Sequence, residues 1–207
     1  MAKSTKIELK FIKSAVYPED WPQHTMAEVA VVGRSNAGKS SFLNALSKSQ
    51  IAKVSQTPGK TRLINFFQSE KYVLVDLPGY GFAARDNKEV ALWRKMISAY
   101  ISGRPNLVGV LLVMDCRRSW DEEEEQMRAF ASDYGLQIAV VLTKSDKLNQ
   151  SEKAKSLKII QQQSDIEDIF LTSNTKLDGI HDVENFVYMN WIKNWKYEPP
   201  PEPEDEG

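Results

Sequence analysis

A glycine-rich segment followed by a lysine and two serines is the part of this sequence best suited to chemistry. It follows an apolar run at 28–32 and opens a stretch of helical character. Glycines let backbone N–H groups approach an anion closely, and a helix start favours negative charge. In this pattern the lysine reaches the β- and γ-phosphates of a nucleotide, and the first serine ligates Mg²⁺. The predicted nucleotide-binding residues of this phosphate loop are Gly33, Arg34, Ser35, Asn36, Ala37, Gly38, Lys39, Ser40 and Ser41.

A second motif, Asp76-Leu77-Pro78-Gly79, ends the apolar run at 72–76. Asp-x-x-Gly alone is an ordinary turn, but here it lies 36 residues beyond Ser40 at the end of a predicted strand. The Asp76 carboxylate is placed to hold Mg²⁺ through water, and the Gly79 N–H to meet the γ-phosphate. We therefore expect all four residues of this motif to lie at the nucleotide.

A third motif, Thr143-Lys144-Ser145-Asp146, follows the run at 138–142 and decides which base is bound. A carboxylate at position 146 can accept both the N1–H and the exocyclic amine of guanine. Adenine presents no such pair of donors, so Asp146 argues against an ATP-using protein. The stem of Lys144 can cover the face of the base.

The segment Leu171-Thr172-Ser173-Asn174 follows the last predicted strand. Its backbone N–H groups, that of Ser173 first, are expected to meet the guanine O6, with Thr172 beside it. A turn that caps the next helix explains the same residues equally well. Both interpretations stay open from the sequence.

The long loop before position 63 contains Thr57-Pro58-Gly59-Lys60-Thr61. A threonine hydroxyl there can bind Mg²⁺ only when GTP is present, so the loop would order with nucleotide state. Thr61 is preferred to Thr57 because it lies nearest the following strand, and Gly59 and Lys60 are expected to contact the nucleotide. The predicted metal ligands are then Ser40, Thr61 and Asp76, and the predicted catalytic residues are Lys39, Thr61 and Gly79.

Alternating apolar runs and helical stretches must position these motifs. Strands are predicted at 7–17, 29–32, 63–68, 72–76, 108–114, 138–142 and 169–171, and helices at 39–47, 88–102, 121–134, 151–163 and 181–195. The short turn between 68 and 72 indicates an antiparallel hairpin, and the other runs indicate βαβ crossovers. This predicts an α/β fold of the P-loop NTPase class, a Ras-like domain whose mostly parallel sheet has helices on both faces. Ligands of such folds bind at the carboxyl ends of the strands, where the motifs fall.

Composition places these motifs in one intracellular domain. The 207 residues allow a full core, with the domain expected at 7–197 and disordered segments at 1–6 and 198–207. The last ten residues hold five acids and no base, which leaves 27 basic against 23 acidic residues elsewhere. No acid lies between Glu28 and Glu70, as suits a polyanion; a triphosphate explains this, and RNA is a further candidate. The single cysteine and the lack of a long apolar run are expected of a cytoplasmic protein without a membrane span.

Taken together, the motifs resemble those of the EngB (YihA/YsxC) family of bacterial GTPases. The likeness covers roughly residues 7–195 and includes Asp115-x-Arg117 and a guanine motif that begins with threonine instead of asparagine. One departure is Thr172-Ser173, where the family tends to have two serines. The resemblance implies a cytoplasmic factor in assembly of the large ribosomal subunit, needed for normal cell division and septation. Its implied partners are guanine nucleotides and the ribosomal precursor with its RNA, and a monomer is expected.

The residues also limit how GTP would be hydrolysed. Many Ras-like GTPases have a water-orienting glutamine where this chain has Tyr80, so slow intrinsic turnover is expected. Arg62 and Arg85 are interpreted as solvated loop charges. Asn36 either holds a potassium ion near the phosphates or only shapes its turn. A GTPase switch is the leading hypothesis, and a nucleotide-gated RNA- or ribosome-binding module is the alternative.

Overall fold

The computed structural model describes residues 7–47, 50–51, 63–81 and 87–198, and for 87–89 the backbone alone. Within these residues, seven strands form one mixed sheet, and five α-helices accompany it. The strands are β1 (Lys10–Ala15), β2 (Glu28–Gly33), β3 (Ile64–Gln68), β4 (Val73–Asp76), β5 (Leu107–Asp115), β6 (Gln137–Thr143) and β7 (Ile169–Leu171). The helices are α1 (Lys39–Leu46), α2 (Asn87–Gly103), α3 (Glu122–Asp133), α4 (Gln150–Ser164) and α5 (Ile180–Phe186).

The strands lie in the order β1-β3-β4-β2-β5-β6-β7. β4, β2, β5, β6 and β7 are parallel, whereas β3 runs antiparallel to both β4 and β1, so the predicted hairpin is confirmed. Because parallel strands end at one edge, Gly33, Asp76, Asp115 and Thr143 are brought to the same edge of the sheet.

Helices cover both faces of the sheet, which confirms the predicted fold class. On β2, Ala30 and Val32 face one layer, built with α2, α3 and α4. Val29 and Val31 face the other layer, built with α1 and α5. All four side chains are fully buried, which is why this strand reads as an uninterrupted apolar run.

The last helix differs from the prediction of one helix at 181–195. α5 ends at Phe186 and continues as a π-helix over Val187–Ile192. The residues Val187, Trp191 and Ile192 are all buried. Val187 and Ile192 are five residues apart, and residues with that spacing lie on the same face of a helix only when each turn contains more than 3.6 residues. The indole of Trp191 lies over Gly109 of β5, where a Cβ atom would come within 2.8 Å of the ring. Trp191 is therefore a packing residue between this helix and the sheet.

A buried ion pair lies at the opposite edge of the sheet from the motifs. Arg104 donates to both oxygens of the Glu28 carboxylate at 2.6 and 2.9 Å, and Glu28 is fully buried. The Tyr100 hydroxyl donates to the same carboxylate at 2.6 Å, and His24 Nε2 lies 2.9 Å from it. Burial acts to raise the pKa of Glu28, but the hydrogen bonds from His24 and Arg104 outweigh it and lower that pKa below its usual value.

Several predictions concern residues that the structure does not describe. These are the segments 1–6 and 199–207 and the loop residues Thr57, Gly59, Lys60, Thr61, Arg62 and Arg85. The domain limits at 7 and 197 also stay predictions. Among the described helices, none combines the length and the apolar character needed to cross a bilayer.

Candidate nucleotide site

The phosphate loop connects β2 to α1 through two left-handed residues, Asn36 with φ 65° and Gly38 with φ 95°. Gly38 is the N-cap of α1, and a Cβ atom on it would approach the Thr143 hydroxyl to 3.0 Å. At the other end of the loop, a Cβ on Gly33 would come within 2.3 Å of the Val113 carbonyl. Glycine is therefore required at both ends of the loop, and the helix that follows has no acid in its first turn, as suits a bound anion.

Lys39 and Asp76 meet directly beside this loop. The Lys39 ammonium pairs with Asp76 Oδ1, and the Asp76 carboxylate is largely buried. Asn65 Nδ2 lies 3.4 Å from the second carboxylate oxygen, and Ser14 donates to Asn65 Oδ1 at 2.6 Å. Asp76 is thus held next to the first turn of α1, where Ser40 is the second residue.

These oxygens suit magnesium. Mg²⁺ prefers one or two carboxylates together with water and phosphate oxygens, and it seldom uses an all-protein cage. In the part of the chain that the structure describes, no three or more His, Cys, Asp or Glu residues cluster as a metal site. The Asp76 carboxylate, held next to the first turn of α1 where Ser40 lies, therefore fits a metal ion completed by a nucleotide.

The Asp-x-x-Gly turn packs against the phosphate loop. Ser35 N–H donates to the Tyr80 carbonyl at 2.9 Å, and Tyr80 N–H donates to the Gly33 carbonyl at 3.3 Å. A Cβ on Gly79 would lie 3.0 Å from that same carbonyl, so glycine permits the close approach. Leu77 is buried, and the Pro78 carbonyl accepts from the Trp93 indole at 2.8 Å. After Asp76, the turn therefore packs against the phosphate loop through its backbone and not through the side chains of Leu77 and Pro78.

Tyr80 stands at the water-orienting position but its side chain points into the core. Its hydroxyl donates to Glu124 Oε1 at 3.0 Å, and its ring packs edge-on against Trp93 at 6.1 Å. Burial and the Glu124 charge raise the pKa of Tyr80, and burial raises that of Glu124. The Tyr80 phenol is thus held neutral and is committed to Glu124.

The side chain of Arg34 turns away from the phosphate loop. It lies 3.3 Å from both Asp121 and Glu123 at the start of α3. Its stem packs over Gly81, where a Cβ atom would approach it to 2.5 Å. The backbone of Arg34 therefore lies in the phosphate loop, whereas its guanidinium is paired with Asp121 and Glu123.

On the base side, Asp146 is oriented by Ser173. The Ser173 hydroxyl donates to Asp146 Oδ1 at 2.9 Å, and Lys147 lies 3.6 Å from the other oxygen. The Ser173 hydrogen bond is the main reason that the pKa of Asp146 falls below its usual value. Ser145 and Thr172 support this arrangement, because the buried Ser145 donates its N–H to the Thr172 carbonyl at 3.0 Å. Asp146 is thus held ionised with its carboxylate fixed.

The prediction for Ser173 N–H needs correction. That group already donates to the Asp178 carbonyl at 3.0 Å, so it is not available to guanine O6. Thr172 is also occupied, since its N–H donates to the Leu142 carbonyl at 2.7 Å and its side chain is fully buried. Among the hydrogen bonds of the described residues, the Asn174 N–H is not a donor, which makes it the better candidate. The sequence alone could not show this, because the Ser173–Asp178 contact forms only when the turn closes.

Three consecutive carbonyls of the phosphate loop are held by side chains from the base side. Lys144 Nζ donates to the Asn36 carbonyl at 2.8 Å, and the Thr143 hydroxyl donates to the Ala37 carbonyl at 2.5 Å. Asn174 Nδ2 lies 3.4 Å from the Gly38 carbonyl. The phosphate loop and the base-reading loops are therefore tied together at one edge of the sheet. Asn174 was within a recognised motif but was not among the predicted contact residues.

Comparison with known proteins agrees with this geometry. The family model described as "50S ribosome-binding GTPase" matches residues 28–144. A probable GTP-binding protein EngB of Bdellovibrio bacteriovorus is 52% identical over 186 residues, which cover 89% of this chain and 93% of that protein. The Clostridium perfringens protein of the same description is 47% identical over 155 residues, or 74% of this chain and 79% of that one.

The fold has a solved counterpart as well. The crystal structure of a probable GTP-binding protein EngB superimposes with a TM-score of 0.67 at 19% identity, covering 79% of this chain and 97% of that chain. At this identity the likeness establishes the fold, and the curated relatives establish the family. The chain therefore belongs to the EngB family of GTP-binding proteins, within the P-loop GTPases.

Proposed function

We propose that this protein is a Mg²⁺-dependent GTPase that acts on a precursor of the large ribosomal subunit. The observation that carries the nucleotide assignment is the junction of the phosphate loop with Thr143, Lys144 and Asn174, beside an oriented Asp146. This junction gives one ligand with a polyanionic end and a guanine end a continuous binding edge. GTP is the common ligand with both features.

At the phosphate end, backbone N–H groups of the loop and Lys39 bind the β- and γ-phosphates. The Lys39 ammonium lies against Asp76, so both side chains face the same part of the site. The Asp76 carboxylate and the Ser40 hydroxyl would hold Mg²⁺. The metal ion, when bound, neutralises charge on the phosphate oxygens. The predicted third ligand, Thr61, would join in the GTP state.

At the base end, the Asp146 carboxylate accepts the N1–H and the amine of guanine in a paired interaction. The Ser173 hydroxyl keeps Asp146 in place, and the stem of Lys144 covers the base. The Asn174 N–H donates to O6. Asp146 and Lys144 are already held in place by other hydrogen bonds, so binding of the base costs little additional side-chain entropy.

Hydrolysis is expected to be slow. The Tyr80 phenol is committed to Glu124, so no side chain at that position orients the attacking water. Lys39 and the Gly79 N–H then provide the main stabilisation of charge developing on the γ-phosphate. A potassium ion held by Asn36 stays a hypothesis for the missing positive charge. A partner that completes the site is the other explanation of how turnover is accelerated.

The ribosomal assignment rests on family and charge. The matching family model is described as a 50S ribosome-binding GTPase, and positions 29–69 contain no acid. A stretch of sequence that carries basic residues and no acids suits ribosomal RNA. The family resemblance also implies action in the cytoplasm and a contribution to cell division and septation, and we expect a monomer. The second candidate is a nucleotide-gated ribosome-binding module with incidental hydrolysis, which the buried Tyr80 side chain favours.

Turnover in the presence of ribosomal particles tests the proposal. GTP hydrolysis is measured for the unsubstituted chain and for Lys39→Ala, each with and without purified large-subunit precursors. Stimulation of the unsubstituted chain alone supports a GTPase switch. GTP-dependent binding to the particles without stimulation of hydrolysis supports the second candidate. If the chain shows no binding to the particles and no stimulation by them, the ribosomal assignment is refuted.

A further inference from the structure

The turn after β5 contains a charged pair that the nucleotide contacts leave unexplained. Asp115 is the last residue of β5 and lies directly opposite Thr143, the last residue of β6. Its carboxylate is largely buried although it sits at the end of a strand. Arg117, two residues later, has a half-exposed side chain. A buried carboxylate at this position requires compensation, and the structure shows what supplies it.

Four hydrogen bonds converge on the Asp115 carboxylate. Oδ1 accepts the backbone N–H of Arg117 at 3.1 Å and its Nε at 2.8 Å. Oδ2 accepts a terminal nitrogen of the Arg117 guanidinium at 2.6 Å and Lys144 Nζ at 2.9 Å. Arg117 therefore grips both oxygens and sets the plane of the carboxylate, and the remaining position on Oδ2 faces Lys144.

Lys144 connects this pair to the nucleotide site. Its ammonium also donates to the Asn36 carbonyl of the phosphate loop at 2.8 Å. Its backbone is left-handed, with φ 61°, a conformation that a residue with a side chain adopts at a cost. A long flexible side chain on a strained backbone keeps one position only if both of its contacts are well placed.

We propose that Asp115 and Arg117 are positioning residues that hold Lys144 against the phosphate loop and so set how long a bound nucleotide remains. Arg117 fixes the carboxylate, the carboxylate fixes the Lys144 ammonium, and the ammonium fixes the Asn36 carbonyl. Burial acts to raise the pKa of Asp115, but the hydrogen bonds from Arg117 and Lys144 outweigh it and hold that pKa well below its usual range. This role presupposes that the site binds guanine nucleotides, as proposed above.

Removing the guanidinium tests the role. Dissociation of a fluorescent GDP is followed in the unsubstituted chain, Arg117→Ala and Arg118→Ala. Arg118 is the adjacent exposed arginine, so its loss removes the same charge from the same turn. We expect Arg117→Ala to raise the dissociation rate about five- to tenfold, and Arg118→Ala to change it less than about twofold. Equal rates for the two variants would overturn the role.

Two further variants separate geometry from charge. Arg117→Lys keeps the charge but cannot serve both carboxylate oxygens, so its rate should resemble that of Arg117→Ala. In a Lys144→Ala background, Arg117→Ala should have almost no additional effect, because the two residues act in one chain of contacts. A wild-type rate in Arg117→Lys, or an undiminished effect in the Lys144→Ala background, contradicts the proposal.

A change of base completes the test. Inosine diphosphate lacks the exocyclic amine that Asp146 is proposed to bind. Arg117→Ala should therefore accelerate dissociation of both nucleotides by the same factor, and a larger factor for GDP would place the effect on Asp146 instead. Failure of the unsubstituted chain to bind GDP would overturn the proposed function together with this role. Normal binding without an Arg117 effect overturns this role alone.

Discussion

Thr143 offers a sharp test of how the two halves of the site are joined. Its hydroxyl donates to the Ala37 carbonyl at 2.5 Å and also lies 3.0 Å from the Met114 carbonyl. The side chain is fully buried. Thr143→Val keeps the shape of the side chain and removes the hydroxyl, so the Ala37 carbonyl would lose its donor in a dry environment.

The size of the effect follows from that lost donor. A buried carbonyl left without a partner costs about 1–3 kcal/mol. We expect Thr143→Val to lower the free energy of unfolding by about 1–2 kcal/mol. Because Ala37 lies in the phosphate loop, the affinity for GDP should also fall about tenfold, or about 1.4 kcal/mol. Urea unfolding and calorimetric titration with GDP measure the two quantities.

Thr172 provides the matched control. It is equally buried, but its hydroxyl lies 3.4 Å from the Leu142 carbonyl, which already accepts the Thr172 N–H at 2.7 Å. Thr172→Val should therefore change unfolding by less than about 0.5 kcal/mol, because a bond of that length is weak. Thr143→Ser should recover most of the GDP affinity. Equal effects of the two valine substitutions would refute the assigned link to the phosphate loop.

Three further predictions concern charged groups. Lys39→Ala should weaken GTP binding at least about tenfold by calorimetry, and an unchanged affinity would refute its phosphate contact. Ser173→Ala should raise the pKa of Asp146 toward its usual value. Because the bound base needs the ionised carboxylate, GDP affinity should, as the pH is lowered, begin to fall at a higher pH in this variant than in the unsubstituted chain. Coincident pH profiles of the two proteins would contradict this. Arg104→Met should lower the free energy of unfolding by about 3 kcal/mol, because Glu28 would lose its buried partner, while GDP affinity stays the same; a loss below about 1 kcal/mol would argue against that pair.

Much of the fold could be predicted because its strands are buried on both faces. Val29 to Val32 form a continuous apolar run for this reason, and polar motifs such as Asp76 follow where each strand ends. The π-helix after Phe186 could not be predicted from periodicity. It contains Trp191, whose indole lies over Gly109, a residue 82 positions earlier in the chain.

Within the site, residue types were more predictable than the directions of side chains and amides. Arg34 lies in the phosphate loop, yet its guanidinium pairs with Asp121 and Glu123 at the start of α3, which are 87 or more positions away in the sequence. The Ser173 N–H is taken by Asp178, which transfers the O6 contact to Asn174. The hydroxyl of Thr143 reaches a carbonyl 106 residues away. The contacts of Arg34 and Thr143 exist only after the strands pair, and that of Ser173 only after its turn closes, so the sequence pattern does not show them.

Base selection by Asp146 is the central claim, and a change of base tests it most directly. Xanthine has a carbonyl where guanine has its amine, and an asparagine can donate to that carbonyl while accepting N1–H. Affinities for GDP and xanthosine diphosphate are measured by calorimetry in the unsubstituted chain and in Asp146→Asn. We predict that the unsubstituted chain prefers GDP and that the variant prefers xanthosine diphosphate, shifting the affinity ratio by more than about a hundredfold. An Asp146→Asn variant that still prefers GDP by the same ratio would contradict the assignment of this site to guanine.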